Sequence, residues 1–154
     1  QSAGLCVFEE DVVNTWIKKA READGFVFGS PVYFAHPSGH LLSVMDRMFM
    51  AGRDAFAHKS AAAVATARRA GTTASLDAIQ KHFTDAEMPI VSSTYWNMVF
   101  GPAPELVDRD QEGLQTMRNL ARNMAWMLQC IQLGKEHGVT PPVAETAHWT
   151  NFNR

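Results

Sequence analysis

The strongest constraint on this chain is an alternation. Three short, mostly apolar runs, FVF at 26–28, SAAAVATA at 60–67 and MPIVSST at 88–94, are each followed by a longer stretch. A strand that is apolar throughout is covered on both faces, and parallel strands joined by helices provide that cover. Apolar residues fall at helical spacing at 11–23 (Val12, Val13, Trp16, Ile17, Ala20) and at 38–51 (Leu41, Leu42, Met45, Met48, Phe49). They do so again from Thr72 or Thr73 (Leu76, Ile79, Phe83) and over 108–137 (Leu114, Met117, Leu120, Met124, Met127, Leu128, Ile131). Asp11 and Ser38 are suited to capping two of these helices, Gly52 to ending one, and Gly138 with Pro141-Pro142 to ending the last. The order predicts an α/β fold, a doubly wound parallel sheet between two helical layers, in one domain over residues 1–154. Three strands make a thin sheet, and QSAGLC does not read as a natural start, so the sheet is expected to be N-terminally incomplete.

Charge and cysteine content narrow the function. Fourteen Lys and Arg against sixteen Asp and Glu leave a net charge of −2, which gives no pull toward nucleic acid or an anionic membrane. No apolar run reaches membrane-spanning length, and the start lacks the build of a signal peptide. Two cysteines, Cys6 and Cys130, are too few for a disulfide framework and point to a reducing, cytoplasmic setting. Cys130, beside Leu128 and Ile131, reads as a small core residue. His36 and His40 are four apart, but Pro37 and Gly39 interrupt any helix through both, so no metal site is expected. No nucleophile elbow, Walker loop or zinc-protease motif occurs, and no side chain is assigned as catalytic.

The segment FVFGSPVYFAHPSG, 26–39, carries the functional signal. Gly29, Ser30 and Pro31 are expected to end the strand, making 29–38 a loop at its carboxyl end, where ligands of open parallel sheets bind. There Tyr33 and Phe34 offer flat apolar walls, and the backbone up to Ser38 offers N–H donors. That pairing suits a planar ring with polar edges. On the residues alone, a plain strand-to-helix connection with packed aromatics is an equal alternative, and Arg68-Arg69 reads as a solvated basic loop.

The segment ADGFVFGSPVYFAHPSGHLLSVMDRMF resembles the corresponding part of flavodoxin-fold NAD(P)H-dependent FMN reductases and their iron–sulfur flavoprotein relatives. The likeness rests on Gly-Ser-Pro-Val-Tyr and on the Leu41…Asp46-Arg47 pattern, and continues through ARRAGTT, STYWNMVFG and the closing TNF-x-R. It implies a flavodoxin-like sheet with FMN held by three loops at one edge. Carried over by position, Ser30, Pro31, Val32, Tyr33 and Phe34 would flank the isoalloxazine, with Ser38 at the start of the next helix. Arg68, Arg69, Gly71 and Thr72 would form a second wall, a positive group near flavin N1 favouring hydride acceptance. Trp96 and Asn97 would border the flavin or a neighbouring subunit. Three departures stand out. The family's phosphate-cradling loop is absent from this sequence, which weakens the expected grip on FMN. Relatives often carry His where Phe100 stands. Cys6 resembles the last cysteine of a clustered motif, but one thiolate does not supply the four ligands of an iron–sulfur cluster, so none is expected on these residues.

The resemblance implies an oxidoreductase passing hydride from NAD(P)H through FMN to a small-molecule acceptor such as a quinone or free flavin. A flavodoxin-type carrier of single electrons and a cofactor-free interaction module remain open. Trp126, the apolar length of the last helix and the HWTNF tail predict a homodimer or homotetramer.

Overall fold

The computed structural model of the protein describes residues 4–150. Helix α1 (Val13–Glu22) leads into strand β1 (Gly25–Tyr33), a short strand β2 (His36–Pro37) and helix α2 (Gly39–Gly52). Strand β3 (Ser60–Ala67), helix α3 (Thr72–Asp85), strand β4 (Met98–Phe100) and the long helix α4 (Gln111–Glu136) follow. The sheet runs in the order β2-β1-β3-β4. β1, β3 and β4 are parallel, and β2 is antiparallel to β1, so the sheet is mixed rather than purely parallel.

β3 is the spine. Ala is a weak strand former, yet Ala61, Ala62 and Ala63 are wholly buried because larger neighbours fill the space above them. On one face Phe26 and Phe28 of β1 meet Phe56 and Phe83, with ring centroids 5.1 and 5.3 Å apart, and Phe49 stacks on Phe56 at 4.3 Å. Val13 and Ile17 of α1, Met45 and Met48 of α2, and Leu76 and Ile79 of α3 complete that layer. On the other face Leu120, Met124 and Met127 of α4 cover Ala62, Val64 and Val91. These are the three layers expected from the alternation.

Four local expectations are corrected. β1 does not stop at Phe28: it runs on through Gly29, Ser30 and Pro31, the last facing Thr66 of β3. Pro31 is tolerated because its missing N–H falls at the last β1–β3 position, just before pairing with β2 begins at Val32. Nor is β1 covered on both faces, since Val27 is 59% exposed. The run 88–94 forms only a single bridge, Ile90 to Ala61, and the strand proper is β4. The cause is visible in α4, which draws 92–94 off the sheet: Asn123 Nδ2 donates to the Ser92 carbonyl (2.8 Å), Ser93 Oγ to that of Thr116 (2.7 Å), and Asn119 Nδ2 to Thr94 Oγ1 (3.2 Å). Finally, Cys130 is exposed, on the outer side of α4.

The capping assignments shift as well. Gly71, at φ +89°, caps α3, with Thr72 its first residue. The last helix begins at Gln111 rather than 108, capped by Asp110, whose Oδ1 accepts from the Gly113 N–H at 2.9 Å. Asp110 Oδ2 accepts from the Phe100 N–H at 2.7 Å, which pins β4 to the helix. Ser38 occupies the N-cap of α2 without a hydroxyl cap bond.

Candidate functional site

The carboxyl ends of β1 and β3 carry two turns that lock together. The first is the hairpin tip between β1 and β2. Val32 faces Pro37 and Tyr33 faces His36, leaving a two-residue turn, Phe34-Ala35, with φ of +50° and +59°. Positive φ at both positions is the I′ pattern, normally built from Asn-Gly or Gly-Gly. Beneath the tip, Ser30 is buried; its hydroxyl accepts from the Ser38 N–H (2.8 Å) and donates to the Pro31 carbonyl (2.8 Å). That clip joins the hairpin base to the start of α2.

The second turn, Arg68 to Gly71, leads from β3 into α3. A Cβ on Gly71 would lie 2.5 Å from Ala35 Cα and 2.9 Å from Val32 Cγ1. Only glycine tolerates both the left-handed φ and that approach. The structure therefore brings Ser30 to Phe34, Ser38, Arg68, Arg69, Gly71 and Thr72 to one rim. Tyr33 is 59% exposed and Phe34 fully so, and Arg68 and Arg69 are exposed. No ion pair to either arginine occurs among the described residues. The amides of Phe34 and Ala35 have no backbone partner among the described residues. At this rim sit exposed aromatic rings, two N–H groups without a backbone partner among the described residues, two cations and the positive end of α3.

Three of the residues singled out from the sequence are arranged differently. Thr72 is buried and its hydroxyl faces Met98 Sδ at 3.2 Å. Trp96 and Asn97 lie across β3 from the hairpin, at the excursion 92–96. Trp96 is exposed against the edge of Tyr95, ring centroids 4.9 Å apart, beside a groove of about 330 Å³ that Asn97 also lines. The Asn97 amide replaces the missing strand contact: Nδ2 donates to the Ala63 carbonyl at 3.0 Å, while the Ala65 N–H donates to the Asn97 carbonyl at 2.9 Å. The closing TNF-x-R motif falls, from Asn151 on, outside the described residues.

A second cluster was not legible as such. Asn14 brackets the backbone of Cys6, accepting from its N–H at 2.8 Å and donating to its carbonyl at 3.0 Å. The Arg47 guanidinium donates to Cys6 Sγ at 3.3 and 3.4 Å, pairs with the Asp11 carboxylate and lies 5.2 Å from the Phe8 ring. The Phe8 N–H, and then Arg47, hold the Cys6 thiol below its ordinary value; Arg47, and then the Val13 N–H, do the same for Asp11. Cys6, Asp11 and Arg47 each stood out in the sequence for a separate reason, but their spacing gave no sign that they meet. For an iron–sulfur cluster the described residues do not suffice. They offer one thiolate here, and no group of three or more His, Cys, Asp or Glu converges among them.

Comparison with known proteins identifies the family. A family model described as NADPH-dependent FMN reductase matches residues 2–103. An iron–sulfur flavoprotein of Methanocaldococcus jannaschii is 33% identical over 138 residues, 84% of this chain and 70% of that protein. A second, of Methanosarcina thermophila, is 27% identical over 138 residues, 86% of this chain and 70% of that one. Among solved structures, the Trp repressor binding protein from Bacillus subtilis superposes with a TM-score of 0.58 at 16% identity, over 75% of this chain and 70% of that one. An NADH:FMN oxidoreductase in its apo form gives 0.52 at 18% identity, over 81% and 60%. The structural likenesses show the fold alone, which is flavodoxin-like. On the family match, the chain belongs to the NADPH-dependent FMN reductase family.

Proposed function

We propose that the chain is an FMN-dependent oxidoreductase that takes hydride from NAD(P)H and delivers electrons to a quinone, free flavin or similar small acceptor. One observation carries the reading: Gly71 lets the 68–71 turn close directly onto the Phe34-Ala35 tip, forming a rigid rim at the carboxyl end of the sheet. When bound, FMN supplies the hydride chemistry. The chain's residues position it. The rim suits a flat heterocycle, because Tyr33 and Phe34 present exposed rings, and the amides of Phe34 and Ala35, without a backbone partner among the described residues, suit a ring's carbonyl edge. Arg68 and Arg69 supply positive charge at that edge, Pro31 and Val32 stiffen the approach, and Ser30 with Ser38 holds the hairpin upright. The inward hydroxyl of Thr72 and the committed amide of Asn97 serve the scaffold, leaving the Thr72 backbone and the Trp96 face as their part in binding. No proton donor is assigned.

The protein is read as a cytoplasmic homodimer or homotetramer. Trp126 and Leu133 on the outer face of α4 are 63% and 55% exposed, which supports a copy-to-copy contact. No helix of the described residues is long and apolar enough to cross a membrane.

The test is anaerobic mixing of the flavin-loaded protein with NADPH or NADH in a stopped-flow spectrometer. Loss of the visible flavin band within seconds is expected. A band that persists at saturating nucleotide overturns the reading.

A further inference from the structure

The second half of α4 is built like one side of an interface. The helix has 26 residues, yet its buried ones, Gly113, Thr116 and Leu120, all lie in its first ten positions. Beyond them Met124 and Met127 keep contact with the sheet, and the opposite side of the helix faces away from it. On that side Arg122, Trp126, Gln129, Leu133 and Glu136 are all exposed, at alternating spacings of four and three residues. Such spacing makes a narrow seam, the kind that faces another helix. A seam meant for water would be polar throughout. This one holds two large apolar side chains, Trp126 at 63% and Leu133 at 55% exposure.

The order of residues along the seam says what covers it. Read toward the carboxyl end it runs cation, apolar, amide, apolar, anion, and reversed it is its own complement. Two copies of α4 laid antiparallel about a two-fold axis at Gln129 set Trp126 against the partner's Leu133, and Arg122 against the partner's Glu136. The symmetry makes each of these pairs twice. The two Gln129 carboxamides, each both donor and acceptor, meet at the axis. A parallel pairing would set arginine on arginine and glutamate on glutamate. The antiparallel one also opposes the helix dipoles. Neither Arg122 nor Glu136 has an ion pair among the described residues: Arg122 donates to Asn119 and Glu136 accepts from Gln132. Fourteen residues apart on one helix, about 21 Å, they do not reach each other within a chain.

We infer that α4 joins two copies of this chain, antiparallel, through Arg122, Trp126, Gln129, Leu133 and Glu136, with Gln129 at the two-fold axis. This rests on the homo-oligomer part of the reading above and deepens it by naming the surface, its direction and its register. A foreign partner would not require the seam to complement its own reverse; a second copy does. The contact is closed, so it builds a dimer or one interface of a tetramer rather than a filament. Exposed Cys130, next to the axis residue, comes close to the partner's Cys130.

The test is the mass of the intact chain in solution by light scattering across a dilution series. Trp126→Asp should halve the mass. Arg122→Glu and Glu136→Arg each place two like-charged pairs across the seam and should each raise the dissociation constant about tenfold. The two reversals together restore opposite charges and should return it close to the original, which a merely misfolded variant does not do. A short bismaleimide should join two chains at Cys130, and Cys130→Ser should abolish the product. A monomeric unaltered chain fails the oligomer reading and this inference alike. An oligomer whose mass none of the three single variants changes keeps that reading and overturns the inference. So does a double reversal as weak as the single ones, or a bismaleimide that leaves Cys130 unjoined.

Discussion

β1 and β3 lie side by side in seven-residue parallel register, from Gly25–Ser60 to Pro31–Thr66, yet they do opposite work. β3 is small-residue backbone sealed on both faces, with Ala61 to Ala63 at 0% exposure. β1 is sealed on one face by its phenylalanines, while on the other Val27, Pro31 and Tyr33 stay open. The difference shows how the scaffold and the site share one sheet. The strand that tolerates no change fixes the position, and its neighbour, extended past the sheet into a hairpin, carries the exposed chemistry.

Substitution at matched positions should break or sharpen this contrast. The largest effect is expected inside β3, where Ala63→Leu drives three extra carbons into closed space and should cost about 3 kcal/mol in urea unfolding. Val27→Thr, one strand over and exposed, should stay within about 0.5 kcal/mol. Equal costs would refute the division of labour. Next comes the junction between scaffold and site. Gly71→Ala forces a Cβ to 2.5 Å from Ala35 Cα at φ +89°, and about 2 kcal/mol of stability should go with it. FMN affinity should fall in the same variant; retained affinity would mean that the two turns need not touch. Smaller again, Asn97→Ala leaves the Ala63 carbonyl unpartnered at the point where the last strand leaves the sheet, a loss of about 1–2 kcal/mol.

The gentlest probe is pH, applied away from both strands. Cys6 and Asp11 both titrate below their ordinary values, Cys6 mainly through the Phe8 N–H and Arg47, Asp11 mainly through Arg47. For a lowered acid, the stabilisation is complete above the unfolded pKa and is lost as pH falls through the folded one. The Cys6 contribution should therefore be full above the ordinary thiol range and fade below it. That of Asp11 should persist at neutral pH and fade only below the ordinary carboxylate range. Thiolate absorbance in a Cys130→Ser background should show the Cys6 transition below that of a free thiol, and Arg47→Gln should move it upward. No movement would remove Arg47 from the account.

What could be read without coordinates follows the same division. β3 was legible to the residue: six of its eight residues are Ala or Val between polar flanks, although Ala is a weak strand former. α3 and α4 were legible from spacing. The hairpin was not: Gly29-Ser30-Pro31 is breaker chemistry, and only the fall of Pro31 at the end of one pairing and the start of the next allows the strand through. The run 88–94 misled in the other direction, since apolar Ile90 and Val91 favour a strand while Asn119, Asn123 and the Thr116 carbonyl, all more than twenty residues away, capture the polar half. Of the site, the Ser-Pro-Val-Tyr segment and the 68–72 turn could be picked out as residues. That they meet through Gly71, and that Thr72 and Asn97 face inward, are facts of tertiary packing.

A nitrogen-15 NMR titration with FMN tests the central assignment most directly. Binding at the rim predicts the largest amide shifts at Phe34, Ala35 and Arg68 to Gly71, with His58 and Glu87 at the opposite end of the sheet unmoved. Shifts centred instead on the Leu128–Glu136 groove of α4, or none at saturating flavin, would contradict it.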